Sequence, residues 1–208
     1  GELSDSFPNL FVPAGLTFSI WGIIYLLLFI YVIMQFTGAD RQILNQTVWL
    51  FGVTCALNAL WIVFWHYGNL PISMIVMLGL LGSLIAINTG IKDLSPGIIK
   101  AVFGIYLGWI CIATIANATA LLVHYNWQGS GISEEAWTII MIGAGAVITI
   151  SALYKFNNPY IGLSVVWAFI GIAIKRQDDF RSIFIAAIIA IVLTAIFTIL
   201  GFLRKPAI

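Results

Sequence analysis

Long apolar stretches separated by short polar breaks run the length of the chain: Leu16–Gln35, Val48–Trp65, Ile72–Ile91, Ile99–Val123, Ala136–Tyr154, Pro159–Ile174 and Ile183–Leu203. A helix needs about 20 apolar residues to cross the hydrocarbon of a bilayer, within a range of roughly 17 to 25. The stretches are too long for membrane strands and show no strict alternation of apolar and polar residues. The pattern therefore predicts an all-α fold, a polytopic transmembrane helical bundle of seven spans. The sixth stretch is the shortest, and it reaches full length only if Lys175 and Arg176 extend it by carrying their charged heads out to water.

The breaks carry residues that end or start helices. Thr37-Gly38-Ala39-Asp40-Arg41 follows the first stretch, Gly68-Asn69-Leu70-Pro71 the second and Lys92-Asp93-Leu94-Ser95-Pro96-Gly97 the third. Glycine and proline stand where a helix can neither continue nor begin earlier. Ser133 precedes Glu134 and Glu135 at the start of the fifth stretch. It is placed to cap the helix while the two carboxylates meet the positive field of the first turn. Asn157-Asn158-Pro159 makes a tight link to the sixth. These connections leave no room for a separate water-soluble domain.

Composition supports a bilayer as the surrounding medium. Hydrophobic residues make up 62% of the chain, charged residues 8%, and the mean hydropathy is +1.07. A soluble domain carries about 25% charged residues, because its surface faces water. A net charge of +1 supplies no basic patch for nucleic acid, which is excluded as a partner. Cys55 and Cys111 lie inside apolar stretches and read as small buried hydrophobes rather than a disulfide.

The residues that interrupt the apolar pattern are aromatic or amide. Trp49, Trp65, Trp127 and Trp137 lie near span ends, where membrane proteins keep tryptophan. Trp21, Trp61, Trp109 and Trp167 lie deeper, as do Asn58 and Asn117. At about 1.5 Å of rise per residue, Tyr25, Asn58 and Trp109 stand about 15 Å from the inner end, Trp61 and Trp21 about 20 Å and Asn117 about 27 Å. Helical spacing puts Trp21 with Tyr25, Asn58 with Trp61, and Trp109 with Ala113 and Asn117 on shared faces. A slab of aromatic and amide groups in the outer half suits a flat hydrophobic ligand. The same residues also fit plain helix packing, with Asn as interhelical glue.

These residues, in this order, resemble the TspO/MBR family, the tryptophan-rich sensory proteins related to the translocator protein. Phe11-Val12-Pro13-Ala14-Gly15 leading to Trp21-Gly22-Ile23-Ile24-Tyr25 is similar to that family's proline-rich entry and Trp-x-x-x-Tyr helix. Leu57-Asn58-Ala59-Leu60-Trp61 is similar to its Leu-Asn-x-x-Trp. Tyr106-Leu107-Gly108-Trp109, with Ala113-Thr114 and Asn117, is similar to its Tyr-Leu-x-Trp, Ala-Thr and Asn. Ile105 stands where the family has proline, and Ala118–Trp127 lacks the Tyr and Lys/Arg of the proposed cholesterol motif.

The resemblance implies that residues 1–127 form the family core without its first helix, which would precede Gly1. Residues 128–208 then add three transmembrane helices, as in a longer, bacterial-type branch of a bacterial cytoplasmic membrane. It also implies a ligand site at Trp21, Tyr25, Asn58, Trp61, Trp109, Ala113 and Asn117. The ligand would be a porphyrin, a haem-type molecule or another flat hydrophobe, with no cofactor required.

Other features bear on function. Pro13 precedes Trp21 by the same interval as Pro159 precedes Trp167, which fits either a duplication or chance. No span carries a charge in its interior, as ion-coupled transport normally requires, and none holds an acid–base pair or triad for catalysis. His66 and His124 sit at outer span ends, where they fit a haem iron or an ordinary polar interface. Asn45-Gln46-Thr47 forms a glycosylation sequon in an inner loop. Gly104 and Gly108 make a small-xxx-small step for close approach of another helix, in this chain or a second copy. The expected function is non-enzymatic binding of a hydrophobic small molecule, to sense, sequester or move it. The alternative is a structural or accessory subunit whose aromatic faces pack against a larger membrane complex.

Lys and Arg set the expected orientation. Arg41, Lys92, Lys100, Lys155, Arg204 and Lys205 fall on one side; Lys175, Arg176 and Arg181 fall on the other, beside Asp178 and Asp179. Basic residues accumulate on the cytoplasmic side, so the C-terminus is expected in the cytoplasm. A reporter fused after Ile208 should be active if it works only in the cytoplasm and silent if it works only outside; the reverse pattern would overturn this orientation.

Overall fold

A computed structural model describes residues 9–37, 41–127 and 129–204, and every regular element in them is helical. The helices are α1 (Ile20–Thr37), α2 (Arg41–His66), α3 (Leu70–Gly90), α4 (Ile98–His124), α5 (Glu134–Lys155), α6 (Tyr160–Arg176) and α7 (Arg181–Leu203). Short 3₁₀ turns cover Gly15–Ser19 and Gly129–Gly131. Each expected span corresponds to one helix, the first beginning in the 3₁₀ turn that precedes α1. The expected cap forms, with Ser133 Oγ accepting from the Ala136 N–H at 3.2 Å; Asn69 Oδ1 also caps α3, accepting from the Ile72 N–H at 3.3 Å.

Six segments are long and apolar enough to cross a membrane: 15–37, α2, α3, α4, α5 and α7. With 17 residues, α6 rises about 26 Å, short of a hydrocarbon core about 30 Å thick. The reason it can be short is its position. It packs against α4 on one side and α7 on another, with Ile161, Val165, Ala168, Phe169 and Ile172 fully buried. Arg176 does end this helix, but its head does not reach for water. It is 8% exposed and turns inward, donating from Nε to the Leu10 carbonyl and from Nη2 to the Asn9 carbonyl, both at 3.0 Å.

Three further expectations change. The Asn45-Gln46-Thr47 sequon lies in the first turns of α2 rather than in a loop, and Thr47 is buried with its hydroxyl 2.6 Å from that of Tyr31. Tyr31 gives Thr47 a buried partner, while Arg41, Gln42, Asn45 and Gln46 stay exposed on the same helix. Cys55 is exposed on α2, whereas Cys111 is half-buried, and both are free thiols. Lys100 is no surface charge either. It is 1% exposed and donates to the carbonyls of Lys92 at 2.8 Å and Asn157 at 2.6 Å. There its ammonium meets backbone acceptors just beyond the C-terminal ends of α3 and α5, where a cation is favoured.

Helix α4 is the hub, in contact with α1, α3, α5 and α6. Its two glycines give α6 room. A Cβ on Gly104 would stand 2.7 Å from the Asn158 amide, and one on Gly108 would run into the Ile161 carbonyl and the Ser164 hydroxyl. The small-residue step is thus filled within the chain. Asn158 exploits it: its Nδ2 donates to Asn88 Oδ1 at 2.8 Å and to the Lys100 carbonyl at 3.0 Å, while Asn88 Nδ2 donates to the Phe103 carbonyl at 3.1 Å. The buried core runs through both residues 9–127 and 129–204.

Gly108→Val should therefore lower the thermal midpoint of the purified protein by several degrees, since overpacking costs about 1–3 kcal/mol. Gly143→Ala, where an added methyl meets nothing within 4 Å, should leave the midpoint within a degree or two. Equal midpoints in both variants would contradict the close α4–α6 contact.

Candidate functional site

Helices α1 and α2 meet largely through long side chains, among them Tyr31 on Phe51 at 4.9 Å between ring centres. Towards the end remote from Lys92 and Lys100 they enclose, with α4 and residues 9–13, a cavity of about 710 Å³. That volume lies within the usual range of about 300–1,000 Å³ for small-molecule sites.

One stripe of α4 forms a wall: Trp109, Ile112, Ala113, Ala116, Asn117 and Ala120. Their spacing of three or four residues puts them on a single helical face. Three alanines in that stripe leave space that longer side chains would fill. Opposite stand Trp21 and Tyr25 of α1, and Trp61, Ile62, Trp65 and His66 of α2. Val12, Pro13 and Phe18 cover the end.

Trp21 organises the aromatic groups. It stacks on Tyr25 at 5.5 Å and on Trp61 at 5.9 Å, and meets Trp109 edge-on at 6.3 Å. Phe18 packs edge-on against Trp109 at 5.9 Å. Edge-to-face and offset contacts at these separations follow the ring quadrupole and hold the rings in fixed orientations.

Six of the seven expected residues border this cavity: Trp21, Tyr25, Trp61, Trp109, Ala113 and Asn117. Asn58 does not. It lies behind Tyr25, donating from Nδ2 to the Tyr25 hydroxyl at 3.2 Å. Asn117 is at once lining and glue, since its Nδ2 donates to Ser73 Oγ of α3 at 3.0 Å. The polar inventory is incomplete in one respect. Trp61 Nε1, Trp109 Nε1 and Asn58 Oδ1 are buried and have no hydrogen-bond partner among the described residues. An unmet buried donor or acceptor costs about 1–3 kcal/mol.

Several neighbours of the cavity escape a reading of the sequence. Trp65 resembles an interface residue by position but borders the cavity, 6.1 Å from Trp61. Ala116 and Ala120 repeat the Trp109–Ala113–Asn117 spacing, a signal the sequence did contain. Phe18 is placed by a 3₁₀ turn that periodicity does not reveal. Trp167, deep like the others, is not among the lining residues; its Nε1 donates to the Thr17 carbonyl at 2.8 Å. Its role thus differs from that of Trp21, despite the shared interval from proline. His66 borders the cavity, whereas the ring of His124 packs against Tyr125 and lines no part of it.

Residues 9–14 form a strap over this end of the bundle. Arg176 holds the carbonyls of Asn9 and Leu10, and the Ala14 N–H donates to the Gly171 carbonyl at 3.0 Å. The strap also separates the cavity from a second one of about 450 Å³, lined by Leu10, Phe11 and the facing ends of α4 and α5. Trp137, which by position is an interface residue, lines that second cavity and donates to the Gly129 carbonyl at 2.9 Å.

A bundle of apolar helices around an aromatic cavity defines an integral membrane protein with room for a small molecule. A family model described as "TSPO-like protein" matches residues 1–200, and the chain belongs to that family. The match extends through α5 and α6 into α7, well beyond the motifs at Trp21, Trp61 and Trp109. No curated protein and no solved structure matches the chain.

Arg176→Met should release the strap. Hydrogen bonds to charged groups contribute about 1.5–3 kcal/mol each, so amide exchange at Ala14 and Thr17 should quicken by tenfold or more. Exchange within α4 should not change. Unaltered exchange at Ala14 would show that the guanidinium does not hold the strap.

Proposed function

We propose that the aromatic cavity binds a flat hydrophobic molecule such as a porphyrin, and that the protein senses, sequesters or moves it without transforming it. The observation that carries this reading is the pairing of space with unmet polarity. The cavity is large, yet the indole N–H groups of Trp61 and Trp109, two of its lining residues, have no acceptor among the described residues. A bundle evolved only for packing would close such a space or satisfy such donors. A ligand with a wide apolar face and hydrogen-bond acceptors would do both. Membership of the TSPO-like family supports the same reading.

The alternative, an accessory subunit of a larger complex, draws on the outward apolar faces of α1 and α2. Lipid is sufficient to cover those faces, and the cavity would then have no role. We further propose that α6 crosses the membrane inside the bundle as a seventh span, and that the chain resides in a bacterial cytoplasmic membrane with its C-terminus inside.

Trp109→Ala should weaken binding of a porphyrin roughly tenfold, through lost stacking of about 0.5–1.5 kcal/mol beyond lost area. Asn58→Leu removes the partner of the Tyr25 hydroxyl, so it should reduce discrimination between porphyrins more than affinity. Trp49, 83% exposed, gives the control: Trp49→Ala should bind as the parent does. Trp137 is unsuitable as a control because it lines the neighbouring cavity. Fluorescence quenching by a porphyrin, run on all variants in one detergent, measures these effects. Equal affinity of the parent and Trp109→Ala would favour the accessory-subunit reading.

A further inference from the structure

The second cavity differs in chemistry from the first. Its lining includes one charged side chain among the described residues, Glu134, and no lysine, arginine or histidine. Two of its walls are indoles. Trp127 and Trp137 stand 4.9 Å apart between ring centres with their planes at 63°, a corner of two π faces.

Three side-chain hydrogen-bond donors at this cavity are committed elsewhere, while the lining also includes the amide of Asn126 and the indole of Trp127. Trp137 Nε1 is held by the Gly129 carbonyl, which also fixes that indole. The hydroxyls of Thr119 and Thr138 donate to the carbonyls of Ile115 and Glu134, both at 2.8 Å. An anion needs free donors, and these three offer none. Arg176 reaches the strap but is not among the lining residues, and two of its donors are taken by carbonyls.

The carboxylates point the other way. Glu134 and Glu135 both occupy the first turn of α5, where the positive helix end offsets part of their charge, and Glu134 is exposed. Glu135 accepts a hydrogen bond from Ser182, but no basic side chain is paired with Glu134 among the described residues. One carboxylate beside two aromatic faces is the arrangement that attracts a weakly hydrated cation. A primary ammonium would also seek several hydrogen-bond acceptors, whereas a quaternary ammonium needs none.

We propose that this second cavity binds a quaternary ammonium group of the choline type, with Trp127 and Trp137 supplying the π faces and Glu134 the counter-charge. Leu122 and Met141 line the same cavity and provide an apolar path for an attached chain. Such a group has two sources: the headgroup of a lipid in the surrounding leaflet, or a soluble choline-like amine. The site is separate from the aromatic cavity and does not depend on its ligand.

The test uses the full chain in a neutral maltoside micelle, labelled with 5-fluorotryptophan, its fluorine resonances assigned through single Trp→Phe variants. Dodecyltrimethylammonium should shift the Trp127 and Trp137 resonances saturably and leave that of Trp109 in place. An uncharged dodecyl ether of equal chain length should not shift them. Glu134→Gln should weaken the response roughly twofold to fivefold, the loss expected of a solvent-exposed counter-charge. A response to choline itself would identify a soluble amine as sufficient, and a response to the amphiphile alone would identify a lipid headgroup; either supports the site. Equal shifts from the charged and uncharged amphiphiles, or no shift from either, would overturn it. So would unchanged affinity in Glu134→Gln. If that variant fails to fold, the comparison of charged and uncharged chains on the parent protein still decides. The Trp109→Ala variant should give the parent's response, which keeps this test distinct from that of the aromatic cavity.

Discussion

The close approach of α6 to α4 is the constraint on which the rest of the structure depends. Inside a bilayer there is no hydrophobic force between helices, so contact must come from packing and from satisfied polar groups. Gly104 and Gly108 allow both. They let the start of α6 lie against α4, and they admit the Asn158 amide between α4 and the end of α3. With α4 fixed by α3 and α6, its opposite stripe is left to face α1 and α2. Those two helices are held off by stacked indoles rather than by close backbone contact, and a cavity is the result.

The chain's two kinds of polar group follow different rules. At the end that carries Lys92, the side chains of Lys100, Asn88 and Asn158 are satisfied by carbonyls and by one another. Buried polar groups treated this way make a rigid joint. Around Trp21, Asn58 and the two indoles are left with capacity to spare. The joint at Asn158 is thus closed, and the region around Trp21 holds a space with specific chemistry. The strap, fixed by Arg176 and the Gly171 carbonyl, separates two compartments of different character.

Much of this is legible in the sequence because lipid enforces simple rules. Helix positions follow from runs of apolar residues, and ends follow from Ser133 and the glycine and proline breaks. The convergence of Trp21, Trp61 and Trp109 follows from depth and spacing together. What is not legible depends on partners distant in sequence. Arg176 looks like a charge seeking water until residues 9–10 are placed beside it. Lys100 looks like an orientation signal until Lys92 and Asn157 supply carbonyls. Asn88 and Asn158 are separated by 69 intervening residues, a pairing no local pattern reports. Trp65 and Trp137 share the position of interface residues, and only the tertiary arrangement shows that each faces an internal space.

The side chain of Asn158 also imposes an order of assembly. As the chain emerges during synthesis, α3 and α4 are complete well before residue 158 appears, so Asn88 and the Lys100 carbonyl are already waiting as acceptors. A free α6, only 17 residues long and opened by an amide, has little to hold it in hydrocarbon on its own. Docked against Gly104 and Gly108, it exchanges lipid for a preformed groove. Docking of α6 thus depends on a surface that α3 and α4 supply, whereas α5 and α7 are each long and apolar enough to cross a membrane without it.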